Sequence, residues 1–328
     1  MSEEKLQAAR KWMAQSANGR PYAYAVVRGG YLIDEQYQDV KPAEAQPICS
    51  MNKSVYCSML GIAIAEGKIQ SAADLIVKYY PQVMDAAGEH SPYPDKGRKS
   101  EVITEKDRAI TLRQLASQVS GFTLLDQRPG QKWHYQTFGM VTLMHVISFT
   151  YGYYDHRDPH GLPGDGELIR EKIRDPIGGG WRWDYNNFQH PPHSRINIFG
   201  NMPWLHLTPH DMLRLGWLWL NWGRWGDRQV IPEAWQRESA RVSPLIKKSE
   251  SLPEDWRYGY GFWVNEFGRN WKSLPPDCYC AAGFGSRMIW MCPSLNLVVV
   301  LAPGLDDNMD LRREDSLLLP RIVEACTG

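Results

Sequence analysis

The chain has 328 residues, and 37 Lys plus Arg balance 37 Asp plus Glu, so no overall field draws it toward nucleic acid or an anionic membrane. That length suits one large domain or two moderate ones and buries roughly three quarters of the unfolded surface, enough to enclose a site for a small molecule. Its 14 Trp and 16 Tyr supply rings either for a core, the default reading, or for an apolar cleft.

The N-terminus, Met1-Ser2-Glu3-Glu4-Lys5, is acidic where a signal peptide needs basic residues. The longest apolar run, near Leu297, is far shorter than the roughly 20 residues of a membrane span, so the expected location is cytoplasmic. Six cysteines without a C-x-x-C pair read as reduced core residues.

A helix is expected over Leu6 to Ala17, then two strands within Tyr22 to Tyr37 around the hairpin signal Gly29-Gly30. Helical patterns follow at Ser50 to Glu66, Ala72 to Tyr80, Leu112 to Val119 and Phe138 to Phe149. From Tyr153 the chain reads as irregular and rich in Gly and Pro through Gly180, a candidate lid or binding loop. Beyond it stand Trp181, Trp183 and Tyr185, then His190-Pro191-Pro192-His193. Thr208-Pro209 opens another helix. Strands are expected at Tyr258 to Glu266, Arg287 to Cys292 and Leu295 to Leu301, and a last helix from Leu311 to Cys326. Strands at both ends with helices between predict an α+β fold: an antiparallel sheet from residues 1–48 and 212–328 flanked by helices, carrying a mostly helical domain of residues 49–211.

Three stretches carry chemistry. Ser50-Met51-Asn52-Lys53 places a hydroxyl and an amine one turn apart at the start of an apolar helix, a nucleophile beside a candidate base. The spelling alone decides little, because Ser2-Glu3-Glu4-Lys5 repeats it at a polar terminus expected to fray; an N-cap serine with a solvated lysine is the plain alternative at Ser50. Pro129-Gly130 marks a turn after which Tyr135 stands just before a helix, as a packing tyrosine or a fixed phenol. Cys280-Ala281-Ala282-Gly283-Phe284-Gly285-Ser286-Arg287 is a run of small residues, either a simple turn or a close approach to backbone N–H groups of the kind an oxyanion hole needs.

In this order, S-x-x-K, then P-G-x-x-W-x-Y, then a small-residue turn on a late strand, the chain resembles the serine β-lactamase and penicillin-binding-protein superfamily. Within it the chain is most similar to the branch of class C β-lactamases, carboxylesterases, D-amino-acid amidases and peptidases, and 6-aminohexanoate-dimer hydrolase. The resemblance extends through Gly61 to Ile69, Leu115, Ser120-Gly121, Leu207 to Gly216 and Tyr258 to Trp263. It implies the β-lactamase/transpeptidase-like fold, Ser50 as acyl-accepting nucleophile, Lys53 as its base or base partner and Tyr135 as the proton relay toward the leaving group. It also implies an oxyanion hole from the N–H groups of Ser50 and Phe284. Substrate contacts are expected from Thr137, Ala282, Gly283 and Gly285, and from the rings of Trp181, Trp183 and Tyr185 where these are not core.

Two positions depart from the family pattern. Tyr135-Gln136-Thr137 stands where Y-x-N is common, and Ala281 stands where Lys or His usually opens the third motif. The expected function is therefore an esterase or amidase working through an acyl-enzyme, ahead of a true β-lactamase. The other reading is a non-catalytic ligand-binding or sensor protein on the same fold. No cofactor or metal is expected: H-E-x-x-H is absent, and His190 with His193 lacks a third ligand. The expected partner is a small ester or amide, with no nucleic acid, no membrane and at most a second copy in a homodimer.

Overall fold

The computed structural model describes residues 1–88, 102–158, 160–186, 200–303 and 317–327. Helix α1 (Glu3–Ala17) begins ahead of its apolar pattern because Ser2 caps it: the hydroxyl accepts from the Lys5 N–H, and Glu3 and Glu4 occupy the first turn, where the helix dipole favours them. The first S-x-x-K copy is thus a working cap on a packed helix rather than a frayed end. Strands β1 (Tyr22–Arg28) and β2 (Tyr31–Gln38) meet through Gly29 and Gly30, whose φ values of 59° and 86° suit a type I′ hairpin.

After β3 (Gln46–Pro47) and a 3₁₀ turn over Cys49–Met51 comes α2 (Asn52–Ala65), then α3 (Ile76–Tyr79), α4 (Leu112–Ala116), α5 (Phe138–Tyr151) and α6 (Asp165–Ile169). Helix α6 and the wound turn Arg170–Arg174 correct the expectation of unbroken irregularity up to Gly180. Leu168, Ile169, Ile173 and Ile177 form a buried stripe there that the surrounding Gly and Pro obscure. Strands β4 (Arg182–Asn186) and β5 (Met202–Leu207) precede α7 (Pro209–Leu220), whose cap is the Thr208 hydroxyl accepting from the Asp211 N–H.

The short pair β6 (Arg224–Trp225) and β7 (Arg228–Gln229) leads to α8 (Glu233–Ser239) and α9 (Pro244–Lys248). Strands β8 (Trp263–Val264), β9 (Tyr279–Gly283), β10 (Arg287–Cys292) and β11 (Leu297–Leu301) and helix α10 (Leu318–Thr327) complete the chain. The strand expected over Tyr258 to Glu266 contracts to β8, since Gly261 turns the backbone to φ 78° and Tyr258 bridges back to Trp263. His190, His193 and the expected start of the last helix at Leu311 lie outside the described residues.

The main sheet is antiparallel in the order β2-β1-β11-β10-β9-β8, with Tyr24 opposite Leu301 and Arg28 opposite Leu297, so the two ends of the chain interleave. Its central strands are buried on both faces, which explains the unbroken apolar run of β11. Leu6, Met13, Leu318 and Ile322 of α1 and α10 pack on Tyr24, Trp290 and Val299. Helix α7 covers the other face so closely that a Cβ on Gly216 would stand 2.6 Å from Val298 Cγ1. Helix α2, apolar nearly all round, is buried from Asn52 to Ala63, with Trp235 of α8 donating to the Cys57 carbonyl. Among the described residues no helix is long and apolar enough to cross a membrane.

Candidate active site

The turn that carries Ser50 is held on two sides. On one, the Ile48 N–H donates to the Leu205 carbonyl of β5 at 3.0 Å. On the other, β9 comes so near that a Cβ on Gly283 would stand 2.4 Å from the Ile48 carbonyl oxygen and 3.1 Å from Cys49 Cβ. Between them Cys49 adopts φ 52°, uncommon for a non-glycine residue and of a kind concentrated at functional sites. Ser50 therefore lies in the 3₁₀ turn, not at the N-cap of α2, which begins at Asn52.

Freed from capping, Ser50 Oγ accepts a hydrogen bond from Lys53 Nζ at 3.0 Å. Lys53 is 3% exposed and also donates to Thr137 Oγ1 at 3.3 Å. Its Nζ lies 4.7 Å from the centroid of the Tyr135 ring, so Tyr135 meets the amine through its π face. Two segments far apart in the chain, residues 50–53 and 135–137, thus converge on one amine.

Tyr135 is itself fixed twice. Its ring stacks on Trp263 (5.5 Å between centroids) and meets Tyr258 edge-on (5.9 Å). Burial, and then the neighbouring Tyr135, pushes the Tyr258 phenol far up, so it stays neutral. The backbone is pinned by Gln118, whose side chain accepts from the Gln136 N–H at 2.9 Å and donates to the Gln136 carbonyl at 3.0 Å. Gln118 has φ 62° and its carbonyl accepts from the His134 N–H. Sequence reasoning missed this clamp, because nothing local marks a glutamine as left-handed.

A cavity of about 150 Å³ opens beside Ser50, lined also by Asn52, Lys53, Tyr56, Thr137, Met140, Val141, Met202, Trp204 and Phe284. Phe284 follows the last ladder pair, Gly283 with Arg287, and is 63% exposed. Gly285 and Ser286, at φ 75° and 56°, turn the chain back, and Arg287 Nη1 donates to the Phe284 carbonyl at 2.8 Å. Ala282 pairs with Met288. Ala281 is fully buried, so its methyl offers nothing to a ligand. Burial pushes the Cys49 thiol up, and the positive charges of Arg287 and Lys53 partly offset that rise.

The three rings expected at the cleft are elsewhere. Trp181 is buried in the core, Trp183 packs on Gly166 with Arg174 over its face, and the Tyr185 hydroxyl accepts from the Gly166 N–H. Register gives the reason. Trp204 stands opposite Asp184, so it shares a sheet face with Asp184, and Trp183 and Tyr185 on either side of Asp184 point to the other face. Trp204 lines the cavity in their place. Among the described residues no group of three or more His, Cys, Asp or Glu is arranged to hold a metal ion.

Comparison with known proteins bears on residues 10–319, which match the family model described as Beta-lactamase. The comparison with curated proteins gave no match. Among solved structures, a Bacteroides dorei DSM 17855 protein, provisionally assigned as a beta-lactamase, superposes with a TM-score of 0.71 at 15% identity over 98% of both chains. A family VIII carboxylesterase superposes at 0.66 and 15% identity, covering 99% of this chain and 98% of that one. A LovD mutant of the Aspergillus terreus simvastatin synthase gives 0.69 at 12% identity over 100% and 99%. At such identities the structures share a fold, and nothing finer follows from them.

Proposed function

The chain belongs to the beta-lactamase family, and from that premise we propose that it is a serine hydrolase opening an ester or amide through an acyl-enzyme on Ser50. The observation that supports this reading most directly is the 3.0 Å contact of a buried lysine with a serine that caps nothing. In the proposed reaction Lys53 takes the Ser50 proton as Oγ adds to the substrate carbonyl. The N–H groups of Ser50 and Phe284 receive the developing oxyanion. The proton is proposed to pass to the leaving oxygen or nitrogen by way of the Tyr135 hydroxyl, once this turns toward Lys53 from the face-on contact that its ring makes in the structure, and the bond from that atom to the carbonyl breaks. Water, activated by the same pair, then releases the acid and restores Ser50.

The substrate is proposed to be a neutral ester or small amide rather than a β-lactam, since Ala281 brings no cation to the third motif. Intact-mass measurement with a fluorophosphonate tests the nucleophile. One adduct mapping to Ser50, absent from Ser50→Ala, is expected. An adduct on Ser54 or Ser286 overturns the assignment.

A further inference from the structure

We propose that Cys278 and Cys292 are a disulfide site: the chain closes a bridge between them when it folds in the presence of a disulfide oxidant such as glutathione disulfide. The ladder between β9 and β10 runs from Gly283 opposite Arg287 to Tyr279 opposite Met291, so one step further sets Cys278 opposite Cys292. Residues directly opposite each other in an antiparallel pair have Cα atoms roughly 4.5–5.5 Å apart. A disulfide spans roughly 4.4–6.8 Å, so the bridge needs no movement of either strand. Both side chains are buried in the core that α1 and α10 close over, with Trp271 and Trp290, and their Sγ atoms are 2.7 Å apart.

The neighbouring cysteines are placed differently. Cys280, two residues on along the same face, stands opposite Trp290 and directs its thiol at the Ala281 carbonyl at 3.2 Å. Cys326 of α10 is half-buried against the same core and near enough for Cys292 to feel its charge, but it lies on a helix, with no ladder to set the two sulfurs face to face. Burial pushes the Cys292 thiol far up and the adjoining Cys278 raises it further, so the folded protein offers little thiolate for exchange. The reaction therefore belongs to the folding chain, before α1 and α10 cover the hairpin. One thiolate attacks glutathione disulfide, breaking its S–S bond and releasing one glutathione; the other attacks the mixed disulfide, forming the Cys278–Cys292 bond and releasing the second glutathione. The two cysteines are oxidised, glutathione disulfide is reduced, and the two thiol protons leave with the glutathiones. The loop so closed contains β9, the turn at Phe284 and β10, so the bridge ties the base of the hairpin whose tip lines the Ser50 cavity.

The test synthesises the full chain in a cell-free system buffered with reduced and oxidised glutathione, so that the oxidant is present as the chain folds. The soluble protein is acid-quenched, its thiols are blocked with iodoacetamide in guanidinium, and the blocked groups are counted by intact mass. Of six cysteines, two should be protected and four alkylated. Tryptic mapping without reductant should join residues 273–287 to the peptide that begins at Met288. Because the first peptide holds both Cys278 and Cys280, Cys278→Ala and Cys292→Ala should each abolish the link, while Cys280→Ala and Cys326→Ala keep it. Thermal melts need no variant: oxidised and fully reduced wild type should differ by about 3–6 °C, as closing a loop of about 15 residues implies. Six alkylated cysteines in soluble protein made under this oxidant, or a bridge through Cys280 or Cys326, overturns the proposal.

Discussion

Replacing Gly283 by alanine tests what holds Ser50 in place. The added Cβ would lie 2.4 Å from the Ile48 carbonyl oxygen, whereas ordinary contact begins near 3.4 Å, so β9 and the turn carrying Ser50 must part by about 1 Å. Both sides of the clash are backbone, and Cys49 Cβ at 3.1 Å closes the sideways route, so no side chain can swing away. Overpacking of this kind costs about 1–3 kcal/mol, which a protein with about 5–15 kcal/mol of stability survives. A displacement of about 1 Å at the reacting atoms costs about a hundredfold in rate. Gly283→Ala should therefore melt as a folded protein yet lose about two decades in kcat/KM on a nitrophenyl ester. Gly19→Ala is the control: nothing lies within 4 Å, but φ is 77°, so it should lose about 1–2 kcal/mol of stability with turnover intact. Wild-type turnover by Gly283→Ala, within about threefold, refutes the claim that β9 positions the serine.

If Lys53 and Tyr135 move protons as one unit, Lys53→Ala, Tyr135→Phe and the double variant should lose nearly equal amounts of acylation rate; additive losses would assign them separate tasks. A short-chain nitrophenyl ester should be turned over better than a chromogenic cephalosporin, and the reverse order would make Arg287 a carboxylate-binding cation in place of Ala281. His156, buried with Tyr80 on its Nδ1 at 2.6 Å, has its imidazole pushed below the usual value by burial, so it is neutral in the fold. Below about pH 6.5 the unfolded chain takes up a proton that the native state refuses, so stability should fall by up to about 1.4 kcal/mol per unit as pH drops from 7 toward 5. The urea midpoint of His156→Gln should lack that limb. An identical slope in the variant would place the titration on another group.

Local signals were legible where the physics is local. Gly29-Gly30 makes its turn, Thr208 and Pro209 open α7, and β10 has the bounds its apolar run suggests. The missed features depend on contacts between distant segments. Whether Trp183 shares the cleft face with Trp204 is set by the register of β4 on β5, and a shift of β4 by one residue would bring it there. Gln118 clamps Gln136 only because two turns bring residues 18 apart into reach.

The two S-x-x-K copies separate spelling from chemistry. Ser2 has extended backbone, φ −83° and ψ 117°, so its hydroxyl turns back onto the Lys5 N–H and the pair ends as a helix cap. Ser50 follows a left-handed Cys49 inside a 3₁₀ turn, and the same four-residue spacing brings its hydroxyl to the Lys53 side chain instead. What sets the second copy apart is the left-handed backbone at Cys49 together with the approach of Gly283, more than 230 residues along the chain, which leaves little room for the turn to shift. The catalytic reading of Ser50 therefore rests on the pairing of the motif with a late glycine strand, and Gly283→Ala probes that pairing without touching Ser50 or Lys53.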